Sequence, residues 1–299
     1  MRTHSQIAGD GGSGVAEQIA DLEAAIARRM STVRFVVAVG SGKGGVGKST
    51  LTRQLAAVLA AAGRRVGILD ADLNGPSQAL LGGVGATPPL PGEHGLVVPK
   101  SRDGVQILSV GILLAAGSAL TWPGAEVGHA HVWRATREFA NLAELLGAVD
   151  WGALDLLLVD LPPGPERTAQ FAEFLGPKAA LLLVSIPSAL ARGVVARSVD
   201  ALRPLPNRLL GYVENMSGYA CPGCATVRPL FPEEPESELH ALPCLGRVPF
   251  DPELARLSDQ GLALTEIAAE GRGERSERPV LAALRAVAGE LLRRLEEAR

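Results

Sequence analysis

Apolar residues fall along this chain in short unbroken runs, separated by longer stretches with helical spacing. The runs are TVRFVVAVG (32–40), RRVGILDAD (64–72), ALDLLLVDLPPG (153–164), AALLLVSI (179–186) and RLLGYVEN (208–215). A run of Val, Ile and Leu without polar alternation reads as a strand buried on both faces, the habit of a parallel sheet. VQILSVGILL (105–114) reads as a further strand, and LGRVPFDP, from Leu245, as the start of another. The stretches between them read as helices: KSTLTRQLAAVLAAAG (48–63), closed by Gly63, HVWRATREFANLAELLGAV (131–149), PSALARGVVARSVDAL (187–202) and the C-terminal PVLAALRAVAGELLRRLEEAR. Strands alternating with helices predict an α/β fold, a doubly wound, mostly parallel sheet covered on both faces. Residues 75–102 are rich in Gly and Pro and read as loop. Residues 1–14 are polar and unpatterned and read as disordered. Val15, Ile19, Leu22 and Ile26 then mark a short amphipathic helix. The expected division is an N-terminal extension, 1–31, and one domain, 32–299.

Composition narrows the function only a little. The chain has 299 residues, 47% hydrophobic and 20% charged, enough for a substantial core. A net charge of −3 gives no global case for binding nucleic acid or an anionic membrane. The opening MRTHSQIAGDGGSG lacks a signal-peptide run, and no apolar stretch reaches the roughly 18 residues of a membrane span. Three cysteines are too few for a disulfide scaffold, so a reducing, cytoplasmic setting is expected.

The strongest chemical signal is VGSGKGGVGKST at 39–50. Gly42-Lys43-Gly44-Gly45-Val46-Gly47-Lys48-Ser49, followed by Thr50, fits G-x-x-x-x-G-K-[ST] between a predicted strand and a predicted helix. Glycines let successive backbone N–H groups turn toward phosphate oxygens, and the helix offers its positive end. Lys48 would neutralise the β- and γ-phosphates, and the Ser49 hydroxyl would ligate Mg²⁺. The same glycines also fit the dinucleotide pattern G-x-G-x-x-G, with Asp70 as a ribose-binding acid. That pattern requires neither Lys48-Ser49 nor Asp160, a second carboxylate at a strand end, which would hold Mg²⁺. The nucleoside-triphosphate reading is therefore preferred.

Only four of the 29 Lys plus Arg are lysine, and two of those, Lys43 and Lys48, share this loop. Lys48 fills the ordinary role, so Lys43 is surplus. SGKGGVGKST resembles the deviant Walker A loop of the MinD/ParA class of ATPases. The resemblance implies that Lys43 reaches the phosphates bound by a partner subunit, coupling ATP binding to dimer closure. LDADLNGPSQ resembles the first switch of that class, which implies that Asp70 supports the Mg²⁺ shell and that Asp72 orients the attacking water.

Cys221-Pro-Gly-Cys224 lies in a Pro- and Gly-rich loop after a strand, not at a helix start as in redox pairs, within a cysteine-bearing insert at about 215–235. Thiolates suit zinc or iron–sulfur clusters, but two do not complete either site. Cys221, Cys224, His240 and Cys244 have spacing compatible with an intrachain zinc site, although Cys244 also reads as a small buried thiol at a strand start. DLPPG, VENMS, CPGC and LGRVPFDP, in this order behind the phosphate loop, resemble the Mrp/ApbC family of iron–sulfur cluster carrier ATPases, a likeness spanning about 33–257. In that family two such pairs meet at a dimer axis. The resemblance implies that Cys221 and Cys224 of each of two subunits bridge one [4Fe–4S] cluster, to be passed to recipient apoproteins, and that Asn215 recognises adenine. It implies ATP, Mg²⁺ and the cluster as cofactors, a homodimer, and neither nucleic acid nor membrane as partner.

Two positions depart from the family pattern. Pro165-Glu166-Arg167 follows PPG where Thr-Gly-Asp is usual, so slow or differently coupled hydrolysis is expected of that second switch; Asn74 replaces an expected aromatic. Two other functions compete: a MinD/ParA-like positioning ATPase, for which the cysteine pair has no use, and an ATPase stapled by structural zinc. In the last helix Leu281, Leu284, Leu291 and Leu295 form an apolar stripe whose mixed-charge opposite face favours docking on the sheet over a membrane surface.

Overall fold

The computed structural model describes residues 15–85, 87–109, 112, 139, 140, 142–224, 226–232, 242–269 and 278–297. Ten strands are present among the described residues: β1 Phe35–Ser41, β2 Val66–Asp70, β3 Leu90–Pro91, β4 Leu96–Val97, β5 Gln106–Leu108, β6 Leu156–Asp160, β7 Ala179–Ser185, β8 Leu209–Ala220, β9 Val227–Arg228 and β10 Cys244–Phe250. The main sheet has the order β10-β8-β7-β1-β6-β2-β5, and β9 adds to β8. Every pairing along that path is parallel, and β9 joins β8 antiparallel. The helices are α1 Val15–Ser31, α2 Lys48–Ala61, α3 Gln78–Leu81, α4 Pro165–Leu175, α5 Ala189–Leu202, α6 Pro252–Asp259, α7 Leu264–Ala269 and α8 Pro279–Glu296. None of the described helices is long and apolar enough to cross a membrane.

The unbroken apolar runs form central strands because both faces are covered. Along β1, Val37 and Val39 join one core with α2 and α8, while Val36 and Ala38 join a second core on the opposite face. Leu281, Leu284, Leu291 and Leu295 of α8 are buried in the first of these, so the stripe docks on the sheet. Gly63, at φ 81°, ends α2 in the left-handed region, and its N–H donates to Ala60 O at 2.9 Å. The end of α1 is tied down: Met30 is buried in the second core, and Arg29 donates to the carbonyls of His94 and Gly147.

Three segments differ from the sequence expectation or exceed the described residues. Residues 75–102 are not all loop: they hold α3 and a separate two-stranded β3–β4 ribbon. These elements are too short to leave a periodic signal. Of the strand expected over 105–114, Gln106–Leu108 is extended, and much of the remainder lies outside the described residues. Of the helix expected over 131–149, residues 139, 140 and 142–148 are helical and 131–138 lie outside the described residues.

Strand β1 is the switch point of the sheet. The chain leaves it for β2, on the β6 side, and returns later to β7 on its other flank. In open parallel sheets the crevice beyond the carboxyl ends of strands at such a point receives ligands. Ser41, Asp70, Asp160 and Ser185 end β1, β2, β6 and β7, so they rim that crevice.

Candidate functional site

Residues 42–47 turn from β1 into α2. Gly47, at φ 77°, precedes the helix, and a Cβ there would lie 2.4 Å from Asn215 Nδ2. Glycine is therefore required both by conformation and by space. A Cβ added at Gly44 or Gly45 would meet no atom within 4 Å, so the mouth of the loop is open. The first turn of α2 has no side-chain cap, which leaves its N–H groups available to an anion. Lys48 is buried and its ammonium bonds Asp160 Oδ1 and, at 3.3 Å, Ser49 Oγ. Lys43, half-buried, makes no side-chain hydrogen bond or ion pair among the described residues. Two lysines five positions apart thus have different lives, one held inside the chain and one with a free charge. Ser49 and Thr50 lie half-buried at the start of the helix.

Strand register brings the carboxylates together. Asp160 of β6 pairs Val39 of β1 on one side and Asp70 of β2 on the other. Neighbouring strands are about 4.8 Å apart, so the two acids stand side by side. Both are almost wholly buried. Burial, then the charge of Asp160, pushes the Asp70 carboxyl up to about 7. Asp70 is nonetheless well bonded: Oδ2 accepts from Ser77 N, Gln78 N and Ser109 Oγ, each at 2.9 Å. Asp72 lies beyond the strand end, its N–H 3.3 Å from Asp70 Oδ1 and its own Oδ1 accepting from Gly75 N at 3.2 Å.

Gln78, unmarked by sequence reasoning, sits at the centre of this group. Its Nε2 donates to Asp160 Oδ2 at 2.8 Å and to Ser49 O at 2.9 Å, and its Oε1 is buried with no hydrogen-bond partner. Hydroxyl, two carboxylates and a carboxamide oxygen form an all-oxygen donor set, and Lys48 brings only one positive charge to the two neighbouring carboxylates. Ser49, Asp70 and Asp160 therefore fit a hard dication such as Mg²⁺.

Asn215 lies across the loop, where its Nδ2 donates to Val46 O at 2.8 Å. Beside it a pocket of about 150 Å³ is lined by Gly47, Thr50, Asn215, Met216, Phe250 and Leu254 among others. β8 is irregular here: Asn215 pairs Val248, but Tyr219 pairs Phe250, so β8 carries extra residues. Met216 within that bulge has φ 53°, the one non-glycine in the left-handed region among the described residues. The bulge aims Asn215 and Met216 at Gly47 and lets the strand run on past the sheet.

That continuation carries the cysteines. β8 ends at Ala220 and returns as β9, with Tyr219 opposite Arg228 and Ala220 opposite Val227. Cys221 N donates to Thr226 O at 3.0 Å, closing a hairpin whose tip is Cys221-Pro222-Gly223-Cys224. Cys221 is half-buried, Cys224 is exposed, and both are free thiols. The side chain of Thr226, then its backbone amide, then Cys221, lower the Cys224 thiol to about 7. A lowered thiol gives up its proton more readily to the thiolate, the form that binds metal.

Cys244 does not join them. It begins β10 opposite Tyr212, whereas the pair follows the far end of the parallel partner strand. At about 3.3 Å per residue this places Cys244 roughly 25 Å away. Among the described residues no three His, Cys, Asp or Glu side chains cluster as a metal site, and His240 lies outside them. Nor is Cys244 a buried filler: its thiol is exposed and meets Gly246 O at 3.4 Å. A strand's first residue lies at the sheet rim, where little covers it.

A glycine loop after the central strand of a parallel sheet, with acids ending the next two strands, defines a P-loop nucleoside triphosphatase. The chain is an ATPase of that class, and its fold is that of MinD: the Pyrococcus furiosus cell division ATPase MinD overlays with TM-score 0.58 at 21% identity, covering 87% of this chain and 99% of that one. Within the class the chain belongs to the family described as ParA: NUBPL iron-transfer P-loop NTPase, which matches residues 32–285. It is 40% identical over 238 residues to the cytosolic Fe–S cluster assembly factor NUBP2 of Bos taurus, covering 78% of this chain and 85% of the relative. It is 32% identical over 251 residues to an iron–sulfur cluster carrier protein of Saccharolobus solfataricus, covering 83% and 81%. A nucleotide-binding protein from Archaeoglobus fulgidus, solved in complex with ADP, overlays with TM-score 0.66 at 34% identity, covering 80% of this chain and 91% of that one.

Proposed function

We propose that this ATPase is a cytoplasmic carrier that holds a [4Fe–4S] cluster between two copies of the chain and delivers it to recipient apoproteins. One observation carries the reading. Two free, accessible thiols stand at the tip of a hairpin whose own strand touches the phosphate loop. Such a cluster is held by four cysteine thiolates. One chain offers a pair at this tip, so a second copy related by a twofold axis supplies the other.

Mg-ATP binds with its phosphates in the 42–50 loop. Lys48, released from Asp160 toward phosphate, neutralises charge. Ser49, Asp70 and Asp160 hold Mg²⁺, which offsets phosphate charge. Asn215 and Met216 meet the base in the pocket beside Gly47. Asp72, partly exposed past the end of β2, orients water. Lys43, which has no partner among the described residues, extends to the partner's nucleotide; such a charge-assisted contact contributes about 1.5–3 kcal/mol where water is excluded. Nucleotide at Gly47 presses on Asn215 and Met216, which precede Cys221 and Cys224 on one continuous strand and turn. That gives ATP a direct route along the chain to the cluster hairpin.

Anaerobic reconstitution with iron and sulfide tests the proposal. The wild-type protein is expected to gain cluster absorption and to activate an apoprotein. Cys221→Ala and Cys224→Ala should each lose both while retaining ATP binding. A cluster of unchanged yield in Cys224→Ala would refute the ligand assignment.

A further inference from the structure

We infer that Gln78 is a positioning residue for the nucleotide's divalent cation, acting as the tie that holds the Mg²⁺ donors in register. The observation is a buried amide with one side fully used and the other orphaned. Its Nε2 faces two groups that can only accept, Asp160 Oδ2 at 2.8 Å and Ser49 O at 2.9 Å. That chemistry fixes the amide's orientation, because a flipped amide would set oxygen against oxygen. Oε1 then lies about 2.2 Å from Nε2 within the same planar group. It is buried without a donor, and Gln78 itself is wholly buried. A buried acceptor left unpaired costs about 1–3 kcal/mol, so Oε1 calls for a donor that the protein's own described residues do not supply. The backbone of the same residue donates to Asp70 Oδ2 at 2.9 Å.

One residue thus touches all three elements that bear the cation's donors: the start of α2 through Ser49, the end of β2 through Asp70 and the end of β6 through Asp160. Leu or Val would fill the same buried space without these bonds, so packing alone does not call for an amide. The species that the site lacks and Oε1 can use is a donor. A water in the inner shell of Mg²⁺ is such a donor, because this cation keeps several of its waters when bound. With Mg²⁺ bound, Gln78 Oε1 would accept from a water of the cation, while Nε2 keeps its bond to Asp160 Oδ2 and leaves Oδ1, now held by Lys48, for the cation once Lys48 turns to phosphate. Its backbone N–H holds Asp70 in the same register.

This inference rests on the Mg²⁺ role proposed above for Ser49, Asp70 and Asp160. It is tested by titrating a fluorescent, non-hydrolysable ATP analogue onto the full chain, in Mg²⁺ and in EDTA. If the wild-type protein shows no Mg²⁺-dependent gain in affinity, the cation role itself fails. If it shows that gain, Gln78→Leu is expected to reduce it about fivefold or more while leaving the affinity in EDTA within about twofold. Retention of the full gain in Gln78→Leu overturns the inference. An equal loss with and without Mg²⁺ also overturns it, because that is the signature of a merely structural residue. Gln78→Glu provides the second arm should the leucine variant not fold. It keeps an acceptor but sets a new carboxylate against Asp160. Its thermal midpoint without metal is expected to fall below that of wild type, and Mg²⁺ with the analogue to restore it. A Gln78→Glu protein that Mg²⁺ does not rescue would contradict the role assigned to Oε1.

Discussion

At the scale of single residues, the phosphate loop separates two kinds of lysine. Lys48 is buried against Asp160, while Lys43 carries a charge with no internal partner among the described residues. Lys43→Ala should therefore change unfolding free energy by no more than about 0.5 kcal/mol, measured by urea denaturation. The same variant should abolish ATP-dependent association, measured by sedimentation. Lys48→Ala should instead weaken ATP binding by a hundredfold or so, the effect of removing a charge-assisted contact of about 3 kcal/mol. These lysines were legible in the sequence because a loop that folds on itself keeps its logic in consecutive residues. Gln78 was not. Its partners are 29 and 82 residues away, and they converge only through the parallel register of β1, β6 and β2. An amide in a Gly-Pro-Ser-Gln stretch has no local feature that separates it from a turn residue.

At the scale of elements, polar ties staple parts of the sheet that apolar packing alone would leave free to slide. Arg53 of α2 is buried and pairs Asp103 through two bonds of 2.8 and 3.0 Å. Asp103→Ala would leave that guanidinium only its longer contact with Glu266 Oε1, at 3.8 Å, with an expected cost of about 1.5–3 kcal/mol in chemical denaturation. Arg65, at the start of β2, donates its N–H to Asp155 Oδ2 at 2.8 Å, beside the start of β6. Those bonds from Arg65 hold the Asp155 carboxyl below its ordinary value of 3.8. A depressed acid stabilises the fold above its unfolded value and ceases to do so as pH falls through its folded one. Asp155→Asn should thus cost up to about 1 kcal/mol at neutral pH, since Arg65 is largely exposed. The difference from wild type should begin to shrink as pH falls past 3.8 and vanish only below the lower, folded value, as followed by thermal midpoints. The alternation of strand and helix was readable because every central strand is apolar on both faces. The β8 bulge was not readable: VENMSG has no glycine at Met216, the position that takes φ 53°. Its conformation is imposed by packing against Gly47 and the phosphate loop rather than by local preference.

For the whole molecule, a spacing in the sequence proved a poor guide to a site. Cys221, Cys224, His240 and Cys244 have distances along the chain that fit zinc. Yet β10 runs parallel to β8, so Cys244 lies at the end of these strands opposite the hairpin. Spacing counts residues and carries no direction. What remains at the hairpin is one pair of thiols, at the edge of the sheet where nucleotide binds, with Val227 and Leu230 exposed beside them. Two copies facing each other across that edge would complete a four-thiolate set and bring each Lys43 toward the other's phosphates. The most direct measurement of that arrangement is native mass spectrometry of the anaerobically reconstituted protein with ATP. The account predicts one species of two chains carrying a single [4Fe–4S] cluster, lost as a unit from Cys221→Ala. A single chain that retains a complete metal site of its own would contradict it.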